Sequence, residues 1–111
     1  MSDAKQKLES VNARLMGLFK AEKQTMMAFN GLTVAATREG KISPAIKELT
    51  AVAIAVAKGC EDCIVYHVAA AKKHGASREE LVEMLAVSVE MAGGPGAVYA
   101  ARALETFDQL S

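Results

Sequence analysis

Nine consecutive residues, Leu49-Thr50-Ala51-Val52-Ala53-Ile54-Ala55-Val56-Ala57, carry no charge and a single hydroxyl. A helix that is apolar all round must be buried all round. In a lone chain of 111 residues that is hard to arrange, so burial between subunits is the simpler expectation. The run is short of the about 20 residues that span a bilayer. That it is a helix follows from what surrounds it. Alanine, the best helix former, supplies 21 of the 111 residues, only two prolines interrupt the chain, and strand-type alternation is scarce. The fold expected is all-α, one helical domain over residues 1–111.

Breakers divide the chain. Gly40 with Ser43-Pro44 is a stop and restart, Pro standing at a first helical position after a Ser cap. Gly59 ends the apolar segment. Lys72-Lys73-His74 followed by Gly75 reads as a helix end, cations in a last turn with Gly just past it. Ser77 with Glu80 three residues on is a capping box. Gly93-Gly94-Pro95-Gly96 is a further break with Pro95 placed to start a last helix. The reading is six helices, at 4–19, 21–38, 44–58, 61–74, 78–92 and 95–108. Core stripes are expected from Leu8, Val11, Leu15, Leu18 and Phe19 in the first helix. The fifth offers Leu81, Val82, Leu85, Val89 and Ala92; the sixth offers Val98, Ala101, Leu104 and Phe107, or Ala97 and Ala100. The methionines, including Met26-Met27 and Met84, read as core filler.

Charge excludes some partners. Lys and Arg together number 13, as do Asp and Glu. A balanced chain with no basic run has no electrostatic footprint for nucleic acid or an anionic membrane. The polar, charged segment Met1 to Ser10 is not a signal peptide, and the expected location is cytoplasmic. Two cysteines are too few for the disulfide framework of a secreted domain.

Those two cysteines form the one chemical constellation: Glu48, Cys60-Glu61-Asp62-Cys63, then His67. On a helix at about 100° per residue, Cys60, Cys63 and His67 share a stripe about 60° wide, and His74 continues it. Thiols on a first turn sit at the positive end of the helix, which favours thiolate. A Cys-x-x-Cys pair can close a disulfide and reopen under a thiol donor. Glu48 reaches His67 only if packing brings the preceding helix close. Several readings remain open on the residues alone. The thiols can be structural. Two Cys, His67 and either His74 or Glu48 make a formally adequate zinc set. His74 alone reads as a last-turn cation, Tyr66 as packing or a second donor behind the site, and Glu48 as a solvated carboxylate near a helix start.

The spacing Glu48, eleven residues, Cys60-x-x-Cys63, three residues, His67 resembles the active-site pattern of the alkylhydroperoxidase AhpD family, within the carboxymuconolactone decarboxylase-like superfamily. Ser43-Pro44 through Gly75-Ala76-Ser77, and Gly93-Gly94-Pro95 with Val98-Tyr99-Ala100-Ala101-Arg102, are similar to its short members. The resemblance covers roughly residues 40–108. It implies an all-helical AhpD-like fold, thiol–disulfide peroxidase chemistry on a hydroperoxide substrate with a thiol or dithiol reductant, no cofactor, and homo-oligomers, often trimers or hexamers. The decarboxylase branch is not expected to carry both cysteines. Within the implied site Glu48, Cys60, Cys63 and His67 are catalytic. Cys63 is the attacking thiol because His67 stands one turn away; Cys60, expected to be the more exposed, resolves the oxidised sulfur and meets the reductant. Two departures stand out: Asp62 occupies the place where longer AhpD proteins have a His, and Glu61 with Asp62 is expected to work against thiolate formation.

Overall fold

The computed structural model describes residues 3–110. Among them every regular element is a helix: α1 Asp3–Ala21, α2 Lys23–Thr37, α3 Pro44–Lys58, α4 Glu61–Lys73 and α5 Arg78–Gln109. The helix boundaries follow local chemistry. The Ser43 hydroxyl accepts the Ile46 N–H, with Pro44 at the first helical position. Gly59 closes α3 in the left-handed conformation, φ 69°, while Cys60 N–H reaches back to the Ala55 carbonyl at 3.0 Å. The same closure recurs at the end of α4, where Gly75 has φ 92° and Ala76 N–H returns to Ala71. The Ser77–Glu80 capping box makes both of its hydrogen bonds.

The expected helices at 78–92 and 95–108 lie end to end in one element, α5, joined across a kink at Gly93, so the described residues hold five helical elements rather than six. Only Gly93 leaves helical geometry, at φ 68° and ψ −145°. Pro95 does not end the element because the break beside it already places it in an opening turn, where its missing N–H costs nothing. Taken as one element, α5 is long and apolar enough to cross a membrane by length and composition. In this fold, however, Leu81, Leu85, Ala100, Ala103 and Phe107 along it are core residues.

The core lies between α3, α4 and α5, with Leu49, Val52, Val56, Ile64, Val68 and Leu81 fully enclosed. Thus α3 finds most of its cover inside its own chain, contrary to the expectation from its composition; Ile54, 53% exposed, is its main uncovered apolar side chain. Gly96 is a packed position, since a Cβ there would lie 2.7 Å from the Ala92 methyl and 3.1 Å from the Ser88 carbonyl.

Uncovered apolar surface lies instead on α1, α2 and the outer face of α5. No residue of α2 is buried, although no charge falls between Gln24 and Thr37. Leu15 and Leu18 of α1, and Val82, Val89, Val98 and Ala101 of α5, are exposed rather than core. Of the methionines, Met84 packs against the core as expected, whereas Met16, Met27 and Met91 are exposed. Periodicity finds an apolar face correctly but does not say which body covers it.

Candidate redox site

The site is built on the α3–α4 hairpin. Glu48 lies ten residues before the end of α3, and His67 six residues into α4. At 1.5 Å per residue these positions stand about 15 Å and 9 Å from the turn, a gap that two side chains can close. They do close it: His67 Nδ1 lies 2.7 Å from Glu48 Oε1. Glu48 is only 5% exposed, so it is no solvated carboxylate; its position is a buried anchor. A carboxylate accepts, so Nδ1–H donates and Nε2 is left as the imidazole's free nitrogen. Tyr66 lies edge-on to His67, with ring centroids 5.2 Å apart.

Cys60 is the N-cap of α4 and Cys63 lies in its first turn. Cys63 N–H donates to Cys60 Sγ at 3.3 Å, and the two sulfurs are joined in a disulfide with their Cα atoms 5.3 Å apart. Their exposure reverses the expectation: Cys63 is exposed and Cys60 half-buried. Beside Cys60, the ring of Tyr99 of α5 lies against the Gly59 backbone. His74, the C-cap residue of α4, is exposed and separate from the site. Among the described residues no three His, Cys, Asp or Glu side chains are gathered as a metal ion requires.

Glu61 and Asp62 do not stand as bare charges beside the sulfurs. Arg102 of α5 pairs with Glu61, and Arg14 of α1 contacts Asp62 at 2.9 Å. Opposite charge at such range offsets the effect of each carboxylate on its neighbours. These arginines, and Tyr99, are the residues that sequence reading missed. Arg102 and Tyr99 lie in the stretch that carries the family likeness, but nothing in their spacing announces contact with a turn some forty residues earlier.

Cys63 and His67 open on a groove of about 650 Å³ between α4 and the α1–α2 hairpin. Its other wall is apolar, with Leu15, Phe19, Met26 and Phe29 prominent. The arrangement offers an accessible sulfur, a second sulfur within bonding reach, and an imidazole oriented by a buried carboxylate, all beside an apolar space. Such a set can take up and release electron pairs as thiols and move a proton at one imidazole nitrogen.

A family model described as the carboxymuconolactone decarboxylase family matches residues 21–106. An uncharacterized protein of Cupriavidus necator is 47% identical over 110 residues, covering 99% of this chain and 97% of that protein. A second, described as uncharacterized protein 4 in the cox locus of Paracoccus denitrificans, is 34% identical over 83 residues, 75% of each chain. Among solved structures, the apo form of a carboxymuconolactone decarboxylase family protein from Legionella pneumophila superposes with a TM-score of 0.93 at 39% identity. That match covers 97% of this chain and 96% of the other.

Proposed function

Because the chain belongs to the carboxymuconolactone decarboxylase family and bears a paired-thiol site, we propose that it is a thiol-dependent peroxidase that reduces hydroperoxides through Cys60 and Cys63. The observation that carries this reading is the juxtaposition of the exposed Cys63 with His67, itself held by the buried Glu48. In the reduced protein the Cys63 thiol gives its proton to His67, and Glu48 stabilises the imidazolium through Nδ1. The Cys63 thiolate attacks the terminal peroxide oxygen. An S–O bond forms, the O–O bond breaks, and the alkoxide takes the proton held on His67 and leaves as alcohol. The Cys60 thiol then attacks the sulfur of the Cys63 sulfenic acid; its proton leaves with the displaced hydroxide as water, and the disulfide forms. Two electrons pass from the dithiol to the peroxide, and an external thiol or dithiol returns them.

The test is a pair of substitutions. Reduced Cys60→Ser should form a trappable sulfenic acid with one equivalent of an organic hydroperoxide, and Cys63→Ser should not. Trapping that survives Cys63→Ser and vanishes in Cys60→Ser overturns the assignment. One observation favours a second reading: the Glu48–His67 pair needs no sulfur to act as acid and base, as a decarboxylase or isomerase of small organic acids would use it. Turnover of such an acid by a protein with both cysteines replaced by serine would support that reading over the first.

The working unit in this proposal is a homo-oligomer in the cytoplasm. A folded monomer of 11.7 kDa exposes about 5,900 Å². This chain exposes 7056 Å², an excess of roughly 1,200 Å², and a standard interface takes about 800 Å² from each partner. The helix α2, unburied and without charge from Gln24 to Thr37, is the natural contributor.

A further inference from the structure

Two residues one turn apart on α5 hold the turn that carries Cys60, and we infer that Tyr99 and Arg102 are positioning residues that set how readily the Cys60–Cys63 pair closes. The two cysteines are anchored differently. Cys63 sits within α4 and is fixed by the helix itself. Cys60 caps it: its carbonyl accepts from Ile64 N–H at 3.0 Å, but its own φ −97° and ψ 96° are extended and belong to the connection from α3. Once the S–S bond is open, the distance between the sulfurs depends on how firmly that connection stays in place.

The connection is gripped on both sides of Cys60. On one side, the Tyr99 ring lies so close to Gly59 that a Cβ there would stand 3.2 Å from Cε2 and 3.3 Å from Cζ. On the other, Arg102 pairs with Glu61. The guanidinium also lies 6.0 Å from the centroid of the Tyr99 ring, so the two gripping side chains support each other. Tyr99 is half-buried at the margin of the core. Their contacts are with Gly59 and Glu61, and they act through the backbone of residues 59–61.

The disulfide-forming equilibrium of a dithiol rises with the effective concentration of one thiol at the other. Loosening the grip should spread the Cys60 thiol over more positions and make the disulfide easier to reduce. The experiment equilibrates the protein with reduced and oxidised dithiothreitol. Dithiothreitol gives two electrons and two protons to the disulfide and closes to its own ring, and the protein dithiol is quantified by thiol labelling. Tyr99→Ala should lower the disulfide-forming equilibrium constant about tenfold, a shift of about 30 mV toward easier reduction. Arg102→Ala should lower it about threefold, as expected of an exposed pair. Tyr99→Phe, which keeps the ring, should stay at the native value. Arg78→Ala, which removes an ion pair with Asp108 away from the turn, should also leave it unchanged.

A merely electrostatic role is separable. If charge alone mattered, Arg102→Ala would expose a carboxylate and Glu61→Gln would remove one, so they would shift the equilibrium in opposite directions. The grip requires the same direction for both, because each breaks the same contact. Opposite shifts, or native values in both Tyr99→Ala and Arg102→Ala, overturn the inference. If Tyr99→Ala does not fold, the Arg102→Ala and Glu61→Gln pair decides. The inference rests on the reversible dithiol of the proposed function. The readout needs no peroxide, so failure of sulfenic acid trapping and failure of the grip are distinct results.

Discussion

Placing a charge on α2 should dissociate the protein while leaving each chain folded. Leu32 is the suitable position. It is 63% exposed, and it does not line the groove at Cys63. Full burial of a leucine contributes about 1.5–3 kcal/mol, so covering the exposed part of this one contributes about 1–2 kcal/mol per chain. In a contact where the same face of two copies meets, the term counts twice, about 2–4 kcal/mol for each pair of chains. At about 1.4 kcal/mol per tenfold, Leu32→Ala should weaken association by at least about tenfold. Leu32→Glu adds the desolvation of a carboxylate, several kcal/mol more, and should give monomers at micromolar concentration. Sedimentation velocity on the native protein and both variants reads this directly, with helical circular dichroism as the check on folding. A native protein that sediments as an 11.7 kDa monomer would refute the reasoning. So would a Leu32→Glu protein whose assembly matches the native one, since α2 would then lie outside the contact.

Three further outcomes are expected. Glu48→Gln keeps the shape of the anchor but cannot stabilise a protonated His67. Sulfenic acid formation at Cys63 should slow about a hundredfold with little change in circular dichroism, and a native rate would remove Glu48 from the site. Gly59→Ala forces a Cβ into a left-handed conformation at a cost of about 1–2 kcal/mol and against the Tyr99 ring; thermal unfolding should fall by about 5–10 °C, and an unchanged midpoint would contradict the geometry. The hydrogen bond from Arg78, followed by its charge, holds the Asp108 carboxyl below its ordinary value. Its stabilising effect is present above the unfolded carboxylate value of about 3.9 and is lost as pH falls through the lower folded value. The urea midpoints of native protein and Asp108→Asn should therefore differ at neutral pH and converge in acid; a difference constant across that range would count against the pair.

The sequence carries those parts of the structure that are local. Ser43 before Pro44, Gly59, Gly75 and the Ser77–Glu80 box each act through a backbone bond within a few residues, and each bond is present. The stop at Gly93 is legible too: the chain kinks there, and the two expected helices lie end to end within α5. The site was half legible. The one-turn spacing puts Cys63 and His67 on a common helix face, and both line one groove. The Glu48–His67 bond joins two helices, so spacing raised it only as a contact that packing had to make. The pairing of Glu61 and Asp62 with Arg102 and Arg14 was not legible at all, because those partners lie 41 and 48 residues away. Exposure was the weakest reading: a stripe such as Leu15 and Leu18 has the same spacing whether α4 or another chain covers it.

Glu48, both cysteines and His67 all fall on one helical hairpin, and no more than 19 residues separate the members of its key hydrogen bond. The loop closed to form that bond is short, so its entropic cost is small. The reactive constellation can therefore assemble as early as α3 meets α4 during folding, ahead of any contact with the first two helices. It also makes the chemistry portable. The α1–α2 segment, which forms the opposite wall of the groove, can drift in sequence and reshape what enters without disturbing the atoms that react.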